Sequence, residues 1–220
     1  MKNMYVIIMG GGRIGYNLAK SLVNRGHEVT VLEVDKDRAT EISAELDALV
    51  VNDDGTTIRG LEEVNIFTAD AFVAVTGDDG TNLTGCLLAK EYGVKTTMAR
   101  VADFQKSEIF KKLGVSVVVS PELAASQYIE RFIMRPDVVD LTVIGGGEAE
   151  IMEMIVGERS TVAYKKLEEI PPKDFIVVAI YQEGKLLIPK GDTVIEPGTR
   201  IFVLSKNNMV AFVKKLFMGG

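Results

Sequence analysis

Apolar and polar residues follow two alternating rhythms over the first 134 positions. Short apolar runs recur as "MYVIIM" at 4–9, "EVTVLEV" at 28–34, "DALVVND" at 47–53, "DAFVAVT" at 70–76, "KTTMARV" at 95–101 and "VSVVVS" at 115–120. Between and after them, apolar positions fall three or four apart, which predicts helices at 13–25, 36–46, 56–65, 80–92, 104–113 and 121–134. In the first of these, Ile14, Leu18, Leu22 and Val23 share one side, and Gly26 closes the helix. Parallel strands need crossovers, and these crossovers are helical. Six such strands predict an α/β fold, a Rossmann-type doubly wound parallel six-stranded sheet.

The rhythm changes after "MRPDVVD". Pro136 stops the preceding helix, so Arg135-Pro136-Asp137 reads as a boundary between a domain at 1–136 and a smaller α+β domain at 137–220. There "DLTVIG", "EAEIMEMIV", "FIVVAIYQEGKLLIP" and "TRIFVLS" read as strands, and 161–169 and 207–217 as helix-like stretches. "YQEGKL" and "EPGTR" read as turns.

The first strand runs into "GGGRIG", which carries Gly10, Gly12 and Gly15 in a G-x-G-x-x-G frame, with Gly11, Arg13 and Ile14 completing the loop. Gly10 permits the tight turn, Gly12 lets the backbone approach a pyrophosphate, and Gly15 lets the helix lie close to the sheet. The helix N-terminus presents unpaired N–H groups to the phosphates. Glu33, at the end of the second strand, is placed to accept from both ribose hydroxyls and to repel a 2′-phosphate, favouring NAD-type or adenosine ligands over NADP. Asp54 and Thr56 after the third strand, Thr76, Gly77 and Asp78 after the fourth, and Arg100 in the fifth fall at the carboxyl ends of the strands, where such ligands sit. Asp54 and Asp78 equally suit helix capping. A second glycine run, "VIGGGEAEI" at 143–151, repeats two of the three glycines but has Glu150 in the third slot, and reads as a structural turn or bulge.

Composition removes other classes of function. Hydrophobic residues make up 47% of 220, enough for packed cores, yet no apolar run approaches the ~20 residues that span a bilayer. The N-terminus lacks a signal-peptide pattern, so the chain is expected in the cytosol. One cysteine and one histidine leave no zinc cluster and no internal disulfide, and a net charge of −6 argues against nucleic acid as a partner. A dehydrogenase needs a proton donor or acceptor beside its substrate carbonyl. His27 falls in a turn at the wrong end of the sheet. The Y-x-x-x-K pairs Tyr16/Lys20 and Tyr181/Lys185 fall on the loop's own helix and across a turn. Cys86 sits mid-helix among apolar neighbours, where an inert thiol is expected. A ligand loop without a recognisable catalytic set favours binding over catalysis; a small NAD-dependent oxidoreductase is the alternative.

Across its length the chain resembles the RCK/TrkA family, the cytosolic regulatory subunits of Trk/Ktr-type potassium transport systems. The likeness is carried by "GGGRIGYNLAKSL", "GHEVTVLEVDKD", "DALVVNDDGTTIRGLEE", "DAFVAVTGDDGTNL", "ARV", "LGVSVVVSPE" and the carboxyl-terminal "FIVVAIYQEGKLLIPKGDTVIEPGTRIFVLS". Family members often have aspartate where Glu33 stands. The resemblance implies a homo-oligomer, from dimer to tetramer or octameric ring, lying at the inner face of the membrane beneath a membrane-embedded potassium channel or transporter subunit. It implies NAD(H) or ATP/ADP in the crevice, with ligand exchange changing the ring's shape, and a TrkA-C-like second domain. Arg13 would reach nucleotide phosphates in its own or a neighbouring subunit. Glu122, in "SPE", matches a position where some relatives hold a divalent cation beside the terminal phosphate; a Ser-Pro-Glu helix start explains the same residues.

Overall fold

The computed structural model describes residues 3–134, 140–144, 148–170, 174–182 and 184–219. By contacts the chain divides into two compact units, Met1–Ser126 and Gln127–Gly220.

In the first unit the chain runs β1 (Tyr5–Met9), α1 (Arg13–Asn24), β2 (Glu28–Leu32), α2 (Lys36–Glu45), β3 (Leu49–Val51) and α3 (Ile58–Glu63). It continues through β4 (Ala71–Ala74), α4 (Asp79–Glu91), β5 (Thr96–Arg100), α5 (Ser107–Lys112), β6 (Val117–Val119) and α6 (Pro121–Met134), within which the division falls. The strands form one parallel sheet in the order β3-β2-β1-β4-β5-β6. The predicted doubly wound fold is therefore present.

Alternation along the central strand β1 feeds both faces of the sheet. Ile7 and Met9 join Leu32, Phe72 and Ala74 with Leu61 of α3, Cys86 and Ala89 of α4, and Phe110 of α5. Val6 and Ile8 join Val29, Val31 and Val73 with Ala19 of α1 and Ile42 of α2. Each of the larger side chains in these clusters is worth about 1.5–3 kcal/mol when fully buried, which is why the central strands read as continuous apolar runs. The helix starts are local: Asp35, Thr57 and Asp78 accept from the backbone N–H of Arg38, Gly60 and Thr81 respectively.

The second unit contains β7 (Asp140–Ile144), β8 (Ala149–Ile155), β9 (Phe175–Gln182), β10 (Lys185–Leu187), β11 (Arg200–Lys206) and α7 (Val210–Met218). Its sheet is antiparallel throughout, in the order β10-β9-β11-β8-β7. Met152, Met154, Ile180, Ile201 and Val203 pack there with Val213 and Phe217 of α7. The third predicted apolar run splits into the hairpin β9–β10, with Gly184 at φ +78° in its turn.

The helix expected at 161–169 is corrected to turns and one 3₁₀ turn, Leu167–Glu169. Tyr164 has φ +64°, which an α-helix cannot contain, and its N–H donates to Ile195 O. Ile195 N–H in turn donates to Lys165 O, and Lys166 bridges to Val194. The backbone bonds that a helix would have used internally go across the unit instead. The expected boundary at Arg135-Pro136-Asp137 and the glycines of the second run, Gly145 to Gly147, lie outside the described residues; the strands flanking that run, β7 and β8, pair antiparallel.

Candidate functional site

Strand order reverses between β1 and β4, and at the carboxyl ends of the strands there lies a crevice of about 950 Å³. Gly10, Gly12, Arg13, Ile14, Glu33, Asp54, Thr76, Gly77, Asp78, Arg100 and Glu122 all line it. Gly11, Gly15 and Thr56 do not.

The three motif glycines have three distinct causes. Gly10 has φ +103°, and a Cβ there would meet Thr76 at 3.0 Å. A Cβ on Gly15 would stand 1.9 Å from Gly10 O, so α1 lies directly on the turn. At Gly12 a Cβ would meet nothing within 4 Å: the space beside it is the crevice. Gly12 is the N-cap of the 12-residue α1 and has no side chain to satisfy the first-turn N–H groups. Among the described residues the Arg13 guanidinium, on the exposed side of that turn, makes no hydrogen bond or ion pair. A helix N-terminus with a free cation and an open approach suits phosphate.

Glu33 lines the crevice, but its carboxylate already has partners. Oε2 accepts from Gly11 N–H at 2.5 Å and Oε1 from Asp35 N–H at 2.9 Å. Each oxygen keeps a further acceptor site for ribose hydroxyls. Asp54 Oδ1 accepts from both the backbone N–H and the hydroxyl of Thr56, at 2.8 and 2.7 Å, so this pair forms a local turn at the crevice wall. Asp78 caps α4, where the amide and hydroxyl of Thr81, both at 2.7 Å, hold its carboxyl below the usual aspartate range. Asp53 also lines the crevice; its partner Arg59 lowers its pKa.

On the opposite wall, Arg100 donates from Nη1 to Thr76 O at 2.7 Å and pairs through Nη2 with Glu122, whose carboxyl it holds below the ordinary glutamate value. Its Nε is buried with no acceptor among the described residues. Asn82, fully buried in α4, ties this wall together: Oδ1 accepts from Thr76 N–H and hydroxyl, while Nδ2 donates to Thr76 O and Arg100 O. Sequence reading missed Asn82, although a polar residue on the buried side of a helix, four beyond the N-cap, is a legible signal. Arg38, which donates to Gly11 O, was missed as well and carries no motif.

The candidate proton carriers lie elsewhere. His27 accepts from Met4 N–H at the amino end of β1, away from the crevice. Tyr16 donates to Glu45 on the outside of α1, and Tyr181 and Lys185 belong to the second unit. Cys86 is buried, with its thiol pushed up to about 12 by desolvation. Iodoacetamide at pH 8 should therefore leave Cys86 unmodified in the native chain and modify it in denaturant, as read by the mass of the intact protein.

All the residues lining the crevice belong to the first unit. The TrkA-N domain model matches residues 6–121, and the TrkA-C domain model matches residues 151–218. The chain belongs to the RCK/TrkA family. A Trk system potassium uptake protein TrkA homolog from Methanothermobacter thermautotrophicus is 46% identical over 217 residues, covering 98% of this chain and 100% of that relative. Among solved structures, the GsuK channel bound to NAD aligns at 20% identity and a TM-score of 0.66, over 98% of this chain and 39% of that one. GsuK bound to ADP aligns at 20% identity and a TM-score of 0.56, over 62% of this chain and 36% of that one. At such identities the structures establish the shared fold, and the RCK/TrkA chain spans less than half of either GsuK chain. Among the described residues, no helix is long and apolar enough to cross a membrane.

Proposed function

We propose that this RCK/TrkA chain is a nucleotide-sensing regulatory subunit, which binds NAD(H) or ATP/ADP in the first domain and gates a membrane-embedded potassium channel or transporter. The open approach to Gly12 carries the reading. It leaves room for a pyrophosphate against unpaired N–H groups, in a crevice that Arg13 and Glu33 also line. The TrkA homolog named for potassium uptake and the GsuK channel bound to NAD support the same assignment. Nucleotide exchange gates only if the ligand binds one conformation better than another. The charge difference between candidate ligands, read by Arg13, supplies that bias. Turnover forms no part of this function, and the chain acts at the inner face of the membrane as a homo-oligomeric ring.

Residues 1–136 form the sensing domain and 137–220 the accessory one in this reading. A divalent cation enters only with a nucleotide: Glu122 supplies one carboxylate and the phosphates supply the other oxygens, since no group of three metal-binding side chains exists among the described residues.

Thermal unfolding of the full chain with NAD, NADH, ATP, ADP and AMP, with and without magnesium, tests the proposal. A ligand at a hundredfold excess over its Kd should add about 2.7 kcal/mol, raising the midpoint. No shift with any member rejects nucleotide sensing.

A further inference from the structure

Two side chains from the second β-α unit hold the backbone of the glycine loop. Glu33 accepts from Gly11 N–H at 2.5 Å, and Arg38, in the first turn of α2, donates from Nε to Gly11 O at 2.9 Å. Gly11 is buried against α2, where a Cβ would meet Ile42 at 2.3 Å. All peptide bonds are trans among the described residues, so each N–H points opposite the C=O of its own peptide plane. With Gly11 N–H directed at Glu33, Gly10 O faces the other way, toward Gly15. With Gly11 O directed at Arg38, Gly12 N–H faces away from α2, and Gly12 lines the crevice. Among the described residues Gly12 N–H has no acceptor.

Arg38 is itself braced. Its backbone N–H donates to Asp35 Oδ1 at 3.0 Å, Nη1 pairs with Glu41 at 2.9 Å, and the guanidinium lies 5.2 Å from the Tyr16 ring. Arg38 does not line the crevice.

We infer that Arg38 is a positioning residue for nucleotide phosphate: it fixes the Gly11–Gly12 peptide plane so that Gly12 N–H is preset as a phosphate donor. The inference rests on the nucleotide reading of the same crevice. Preorganised donors bind more tightly because little ordering is left to the ligand. A guanidinium held by Glu41 and the Tyr16 ring orients a carbonyl better than water does.

The test compares Arg38→Met and Arg38→Lys with the parent chain by calorimetric titration of ADP and adenosine, alongside unfolding of the ligand-free proteins. Losing one oriented hydrogen bond should weaken ADP about tenfold in Arg38→Met. Adenosine, which has no phosphate, should bind within about twofold of the parent, while lysine, able to donate one bond to Gly11 O, should recover most of the loss. Amide exchange of Gly12 in the ligand-free chain should rise in Arg38→Met and return toward the parent rate in Arg38→Lys. Unchanged ADP affinity in Arg38→Met overturns the inference. Equal losses for ADP and adenosine, with a lower unfolding midpoint, overturn it in favour of plain scaffolding. If the parent chain binds neither ligand, the nucleotide reading itself fails, a result distinct from failure in the Arg38 variants alone.

Discussion

Gly12→Asp is expected to abolish nucleotide-dependent stabilisation while leaving the ligand-free chain as stable as before, or slightly more so. The backbone at Gly12 has φ −63° and ψ −172°, which any residue adopts, and a Cβ there touches nothing. Aspartate is among the preferred N-cap residues, so it should cap α1. The same side chain would fill the approach to the first-turn N–H groups and set a carboxylate where phosphate must sit. At a concentration that adds about 2.7 kcal/mol to the parent chain, the variant should show no gain. Unfolding midpoints with and without ADP or NAD check this, and a variant that kept the shift would place the ligand away from the loop.

Gly15→Ala should do the reverse and damage the protein before any ligand is added. Its Cβ would lie 1.9 Å from Gly10 O and 3.3 Å from Ile8 Cγ2, a clash with backbone that no rotamer relieves. Either α1 lifts from the sheet or the turn reshapes, at a cost of about 2–4 kcal/mol. Denaturant titration of the ligand-free chain should show a lower midpoint with an unchanged slope. A parent-like midpoint would mean that α1 does not rest on the turn. Two glycines three residues apart in one motif thus separate cleanly: one serves the ligand, the other the fold.

That separation marks how far the sequence reads. The G-x-G-x-x-G frame after an apolar run announced the loop, and alternation of apolar runs with helical spacing announced the six-stranded sheet, because a side-chain period of two or of 3.6 is a local property of the backbone. Gly10 and Gly12 in the glycine frame, Glu33, Thr76, Asp78 and Arg100 at strand ends, and Arg13 and Glu122 implied by the family resemblance all line one crevice. Local chemistry alone left Asp54 open between ligand and helix cap; in the structure Thr57 caps α3, and Asp54 Oδ1 is engaged by Thr56 at the crevice wall.

Other features depend on groups far apart in the chain. The stretch 161–169 has helical spacing, yet it is held open by Ile195, some thirty residues on, whose backbone takes the bonds a helix would have used. Arg38 reaches back 27 positions to Gly11, Asn82 joins the ends of β4 and β5, and Arg100 meets Glu122 across 22 residues. Sequence alone determined the class of fold, the glycine loop and most of the crevice lining, since periodicity and glycine spacing are written within a few residues of one another. Tertiary structure alone decided which carboxylate meets which guanidinium and which way the loop's peptide planes face, because those partners become neighbours only once the sheet has formed.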